Sequence, residues 1–479
     1  MTIRVHSAGL CGLEGIGITV EVDIGRGGLP GVKIIGLPHK SIAEARERVR
    51  TAMRNAGFGF PQSRIIINLA PAYMQKKGTH LDLAIAVGIL AGQKKTHANN
   101  KTLYIGEISL DGTVRAVQGL IPILNYAEKH GFESAVIPAL QQAEVQHSKL
   151  KLYTITHILE LVTGLPLITY QHLQSFDTLR PVALSSIEGQ VLGKRAIEIS
   201  VSGWHSMLLR GHPGVGKTLL AQAAIGIMPP PSQKEQQAIG IIASATGYVC
   251  DFVKSRPLCQ PHHSISVQQL IGGGTHVHVG LITQAHRGVL ILDELPEFSR
   301  SCLEALRQPM EKKSLTMASH CGHVKYPCNP LLIATANPCP CGYLGHPTRR
   351  CVCSQGTTHA YQRKISGPLL DRFDIHVSIE PEEKSRAQGS TISTRKITTA
   401  WDIQRSRKCH NAHIPIEKLH EHCPLDAHAQ NILDRALQRL EISKRAVHKA
   451  LRVARTIADL EQSPHISEKH IAEALSYRM

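Results

Sequence analysis

Large aromatic side chains are scarce in this chain. Phe, Trp and Tyr together make up 4% of its 479 residues. Its cores must therefore be built from aliphatic side chains. Long apolar runs are missing too. The longest stretches, "LAIAVGILAG" and "GVLILDELP", fall well short of the ~20 apolar residues that a membrane-spanning helix needs. The start, "MTIRVHSAGLCGLEG", has no apolar segment behind a basic one. No secretory leader is expected, no membrane partner either, and the expected location is cytoplasmic. There the 12 Cys should be reduced, as buried small hydrophobes, metal ligands or reactive groups. Acidic residues are also few: 37 Asp and Glu stand against 54 Lys and Arg, a formal charge of +17. That excess favours a polyanionic partner, nucleic acid foremost. A generally basic surface is the alternative.

What is present is α/β in pattern and long enough for two or three domains. Residues 1–170 read as one α/β unit. "KSIAEARERVRTAMRNAG" has helical spacing with Gly57 as its stop, "RIIINLAP" is a short strand, and "LDLAIAVGILAG" is an apolar helix. The Asp-Gly pair in "LYIGEISLDGTVRAV" marks a hairpin. "IPILNYAEKHG" and "SAVIP" read as helix then strand. Residues 171–185 have no period and are read as a linker. Residues 186–378 alternate short apolar strands with helices, the pattern of a parallel sheet. Residues 380–395 read as a polar loop, and 379–479 as a helical domain.

The strongest motif is "MLLRGHPGVGKTLLAQAA": a strand, then Gly211, Gly214, Gly216, Lys217 and Thr218 in the order of a phosphate-binding loop, then a helix. The glycines let backbone N–H groups surround phosphates at a helix N-terminus. Lys217 is expected to reach the β- and γ-phosphates of ATP, and Thr218 to bind Mg²⁺. "GVLILDELPEF" carries Asp293 and Glu294 to a strand end. Asp293 is expected to hold Mg²⁺ and Glu294 to polarise the attacking water. "LLIATAN" ends at Asn337, and strand carboxyl ends line the ligand crevice of a parallel sheet, so Asn337 is expected to orient water there. In "SGPLLDRFDIHV", Arg372 is a candidate for a cation supplied to a neighbouring subunit's nucleotide. A plain Arg–Asp pair is the alternative. Arg445 and Arg452 in "SKRAVHKALRVARTIADL" are candidates for reaching the nucleotide from the helical domain.

Just past Asn337, "NPCPCGYLGHPTRRCVC" holds two Cys-x-Cys pairs, Cys339/Cys341 and Cys351/Cys353. Four thiolates can bind structural Zn²⁺ tetrahedrally. Ordinary thiols are the alternative.

Together these stretches resemble the magnesium-chelatase-like branch of the AAA+ ATPases, and within it the ComM (YifB) family. The resemblance also covers "GLPHKSIAEARERVR", "NLAPA", "PHHSIS", "LIGGG", "LEALRQPME" and "VARTIADL", so it spans nearly the whole chain. It implies an N-terminal Lon-protease-like α/β domain, a central AAA+ P-loop sheet and a C-terminal helical lid. It implies Lys217 and Thr218 as Walker A, Asp293 and Glu294 as Walker B, and Asn337 as sensor 1. Arg372 matches the arginine finger and Arg445 the sensor-2 position, with Arg452 second. It further implies a homo-hexameric ring that acts on DNA as a branch-migration helicase in recombination and natural transformation. Active Lon domains use a Ser–Lys dyad. Here "KKGTHLDLAI" puts His80 near the nucleophile position and "VQGLIPIL" has no Lys, so no protease activity is expected. Two stretches, "SISVQQLIGGGTHVHVG" and "KKSLTMASHCGHVKYP", are expected to project as loops into a ring pore, with Lys312, Lys313 and Lys325 on DNA phosphates. A chelatase subunit that inserts Mg²⁺ into a porphyrin is the competing reading, and the fused N-terminal domain argues against it.

Overall fold

The structure, a computed structural model, describes every residue except 1, 26–28, 74, 77, 146–147, 168–181, 248–254, 275–277, 320–321, 381–392, 440–442 and 479. Most of the expected linker and of the polar loop after residue 380 thus lies outside the described residues.

The N-terminal region is built on a seven-stranded mixed sheet. Its long strands Ile3–Cys11 and Glu14–Ile24 pair antiparallel around a turn at Gly12. The strand Arg64–Ala70 extends one side, and Thr102–Tyr104 and Ser134–Pro138 extend the other. The helix Lys40–Asn55 forms over the periodic stretch, and Ile42, Ala45, Val49, Ala52 and Met53 are all buried. The apolar helix Asp82–Gly92 is buried from Asp82 to Leu90, so it forms the core rather than covering it. Asp82 is the charged exception, and Arg48 binds both its carboxylate oxygens, at 2.9 and 3.1 Å. The Asp-Gly turn joins Glu107–Ile108 to Val114–Arg115.

The central region has a five-stranded sheet whose pairs all run parallel. The P-loop strand Met207–Gly211 lies between Leu331–Ala336 and Ile375–Ile379, and Val289–Leu292 sits beyond Leu331–Ala336. Every residue of Val289–Leu292 and of Leu331–Ala336 is buried. This explains their continuous apolar runs, because a parallel sheet is covered on both faces. The fold is therefore mixed α/β with an AAA+-like parallel sheet.

The C-terminal helices continue the core of the central sheet rather than forming a separate one. Val453, Ala454 and Ile457 of the helix Lys444–Leu460 share one buried cluster with Ile197 and Val201 of the helix Val191–Gly203. Trp401 Nε1 donates to Val201 O at 3.1 Å, and Gln404 Nε2 to Ser202 O at 2.7 Å. The N-terminal region docks on the central one at two places. Ahead of the helix Leu120–Lys129, Gly119 N donates to Ser244 O at 2.8 Å, and Gln118 Nε2 to Ala245 O at 2.6 Å. The Gly12–Leu13 turn meets the hairpin Ser314–Ser319/Gly322–Pro327, where a Cβ on Gly12 would fall 2.4 Å from Val324.

The hairpin is the ordered form of one stretch read as a pore loop. Lys312 and Lys325 are exposed there. Lys313 is not on the projecting part: it is half-buried in a cleft with Arg372, Arg445 and Arg452. Burial, and then the charge of Arg452, pull its ammonium down to about 8. The other stretch forms the short helix Val267–Ile271 and a two-stranded ribbon, Gly272–Gly273 with His278–Val279. Among the described residues no helix is long and apolar enough to cross a membrane.

Candidate functional site

The carboxyl ends of three adjacent strands carry the expected nucleotide groups. After the strand Met207–Gly211 the chain turns through Gly214 into Gly216, whose φ of +87° starts the helix Lys217–Ile227. That conformation is open to glycine at little steric cost, and it aims the free N–H groups of the helix start outward. Lys217 Nζ donates to Gly211 O and His212 O, both at 2.8 Å, and to Asn337 Oδ1 at 3.1 Å. Burial pulls its ammonium below the ordinary value, against Asp293 and Glu294, which hold it up. A triphosphate would supply the missing counter-charge.

Thr218 Oγ1 stands 3.1 Å from both carboxylate oxygens of Asp293. A hydroxyl beside a carboxylate is a hard oxygen donor set that suits Mg²⁺, and these two residues would hold the ion. Bound there, Mg²⁺ would neutralise charge on the phosphates.

Sequence reasoning missed Thr335. Its Oγ1 donates to Asp293 Oδ1 at 2.5 Å and accepts from Glu294 N at 2.9 Å. One buried hydroxyl thus ties the strand that ends at Asn337 to both acids of its neighbour. It also helps hold Glu294 at φ +54°, a conformation rare outside glycine and one that accumulates at functional sites. The only signal available was a polar residue inside the buried run "LLIATA".

The cleft beside the P-loop, of about 400 Å³, is lined by Ile187, Glu188, Gln190, Pro213, Gly214, Val215, Gly216 and His346. His346 belongs to the cysteine loop. The four sulfurs of Cys339, Cys341, Cys351 and Cys353 lie within 4.8 Å of one another. Backbone N–H groups of Tyr343 and Val352 point at Cys341 and draw its thiol down to about 6.

The arginines are elsewhere. Ser206, just before the P-loop strand, donates through Oγ to Arg372 O at 2.9 Å. Arg372 therefore sits at the amino end of the sheet, a strand's length (about 16 Å for five residues) from Lys217. Its guanidinium pairs with Glu311, which Arg445 also reaches, at 3.2 Å. Arg372 Nε is buried without a hydrogen-bond partner. Arg452 is turned toward Ile414 O, at 2.6 and 3.0 Å. All three line a second cleft that contains no P-loop residue. The expectation that Arg445 or Arg452 reaches the nucleotide from the helical domain therefore does not hold within one chain. The helix Lys444–Leu460 is pinned at the amino end by Lys449, whose Nζ donates to Asp371 O and Phe373 O and pairs with Asp374 at 2.9 Å.

In the N-terminal region, Thr79 donates to Glu107. Lys76 is buried and donates to Gly36 O and Pro71 O. His80 is buried, and desolvation lowers its imidazole to about 4. None of these pairs a hydroxyl with a free base, and Lys77 lies outside the described residues.

Three sequence families match in succession. "Subunit ChlI of Mg-chelatase" matches residues 20–141, "Magnesium chelatase, subunit ChlI" matches 183–387, and "Magnesium chelatase, subunit ChlI C-terminal" matches 387–478. The protein YifB of Salmonella typhimurium is 37% identical over 496 aligned positions, covering 99% of this chain and 96% of the relative. The competence protein ComM of Haemophilus influenzae is 35% identical, covering 99% and 97%. An uncharacterized protein of Mycobacterium bovis is 36% identical, covering 99% and 98%. With the P-loop sheet beneath it, this likeness along the full length means that the chain belongs to the ComM/YifB family of magnesium-chelatase-like proteins.

Proposed function

We propose that this chain is an ATP hydrolase that works as a ring of identical copies, probably six by family likeness being unnecessary to the argument, and that the ring is a motor on DNA that drives branch migration during recombination and natural transformation. The observation that carries the ring is the split of the site: phosphate-binding groups at the carboxyl end of the central sheet, and Arg372, Arg445 and Arg452 at its amino end. A cation needed at the γ-phosphate must then come from a neighbour's amino end. The partly unsatisfied guanidinium of Arg372 fits that role. Within the site, Lys217 binds phosphate, Glu294 takes the proton of the attacking water, and Asn337 orients that water. DNA as the track rests on the charge of +17, on the exposed Lys312 and Lys325 beside the hairpin, and on the name of the Haemophilus influenzae relative, a competence protein.

A second reading, Mg²⁺ insertion into a porphyrin, is favoured by one observation. The N-terminal region, which set this chain apart from a chelatase subunit on sequence grounds, itself matches a family named for Mg-chelatase. The deciding experiment measures ATP turnover alone and with single-stranded, duplex and branched DNA, a porphyrin and casein. Stimulation by DNA supports the motor. Stimulation by the porphyrin alone supports the chelatase, and stimulation by casein alone would reopen the protease.

A further inference from the structure

The cysteine loop is the part of the site that ATP hydrolysis leaves without a role. Its Sγ–Sγ separations are 3.4 Å for Cys339–Cys341, 3.7 Å for Cys339–Cys351 and 3.6 Å for Cys341–Cys351. A zinc–sulfur bond of about 2.3 Å puts the edges of a ZnS₄ tetrahedron at ~3.8 Å. A disulfide needs ~2.05 Å. The spacing is that of four ligands around one ion, and an all-thiolate tetrahedral set selects zinc.

The loop cannot be ordered by burial. Leu344, Pro347, Arg349, Arg350 and Val352 are exposed, Val352 to 85%. Yet it is fitted closely to the P-loop. His212 donates Nδ1–H to Gly342 O at 2.8 Å, and His212 is buried. Gly342 has φ +83°, and a Cβ there would lie 2.4 Å from Pro213 Cγ. The ring of His346 meets that of His212 edge-on at 4.8 Å and forms part of the wall of the P-loop cleft.

We propose that Cys339, Cys341, Cys351 and Cys353 bind one Zn²⁺, and that the ion holds residues 342–346 against His212 and Pro213 so that zinc occupancy sets the affinity of the P-loop cleft for nucleotide. The second half rests on the reading of this cleft as a nucleotide site. Metal binding would supply the ordering free energy that burial does not. The strut from His212 to Gly342 then passes that order to the phosphate loop.

The test uses the full chain, purified reduced and without added metal. Zinc is measured by mass spectrometry, and affinity by titration with a fluorescent ADP in excess Mg²⁺. We expect one zinc per chain. A zinc-selective chelator should weaken ADP binding, and added zinc should restore it. Cys351→Ser/Cys353→Ser should lose both zinc and affinity. His212→Ala should keep its zinc yet bind ADP about three- to tenfold more weakly, the worth of one lost hydrogen bond, and its residual affinity should respond little to the chelator. Circular dichroism guards against a variant that has merely unfolded. Wild type without metal, or with iron in place of zinc, overturns the site. Zinc removal that leaves ADP affinity unchanged overturns the coupling. Zinc-loaded wild type that binds no nucleotide defeats the ATPase reading, and the coupling with it, while the metal site stands.

Discussion

The two ends of the central sheet are built from the same strands and carry opposite chemistry. At the carboxyl end, Lys217, Thr218, Asp293, Thr335 and Asn337 form one hydrogen-bonded group. At the amino end, Arg372 and Arg445 converge on Glu311, and Lys449 neutralises Asp374. The first end is arranged to bind a phosphate chain and the second to stabilise one. Neither can complete a site with the other inside one chain, because a strand separates them. A sheet of this kind is thus half of two sites rather than the whole of one.

The sharpest way to break the comparison is at the carboxyl end. Lys217→Ala should abolish nucleotide binding. Glu294→Gln should keep binding and lower turnover by a factor of ~10² or more, as the loss of a catalytic base does. Equilibrium titration and steady-state hydrolysis separate the two, and wild-type turnover in Glu294→Gln would remove that residue from the mechanism.

At the amino end, Arg372→Ala should bind nucleotide normally and lose ~10³-fold in turnover, the effect of removing an arginine finger. Mixed with Lys217→Ala chains it should regain part of that activity, since some interfaces would join an intact P-loop to an intact Arg372. Full activity in a species that sedimentation shows to be monomeric would contradict the split site. Arg445→Ala, at the same end but more exposed, should cost less.

Thr335→Val tests whether the carboxyl end is one unit. It removes both hydrogen bonds at nearly constant shape, so we expect a stability loss of about 1–2 kcal/mol in denaturant titration. Turnover should fall further than that loss explains, because Glu294 is no longer held.

The smallest effect concerns DNA. Affinity should fall steeply with salt, and Lys325→Ala should reduce the logarithmic salt slope by about one phosphate contact. An affinity that is flat in salt would assign the charge to a solvated surface.

The sequence showed the carboxyl end plainly, because chemistry there is written in contiguous motifs, each at the end of an apolar run. It showed the helix Lys40–Asn55 and the Asp-Gly hairpin for the same reason: their signals are local. The strands between residues 3 and 35 went unread. They alternate imperfectly, and glycines at positions 9, 15 and 17 interrupt them where Tyr126, Pro122 and His80 crowd the backbone. Arg445 was assigned by its place in a helix, and no local pattern tells which end of a sheet a distant helix will cover. That depends on Lys449 finding Asp374 and on Trp401 finding Val201, contacts that span many tens of residues. Likewise His212 looked like a substitution of loop packing, and its partner, Gly342, becomes visible only when the chain folds.

Ser206 and Gly211 bracket the P-loop strand, and its neighbours on both sides are hydrogen-bonded along its length. Such a strand is hard to stretch or bend. On the proposed reading, a displacement at one nucleotide is passed to the next as the tilt of a rigid bar, with little lost to deformation along the way. The step size of the motor would then be set by the angle between neighbouring copies and by the length of a five-residue strand.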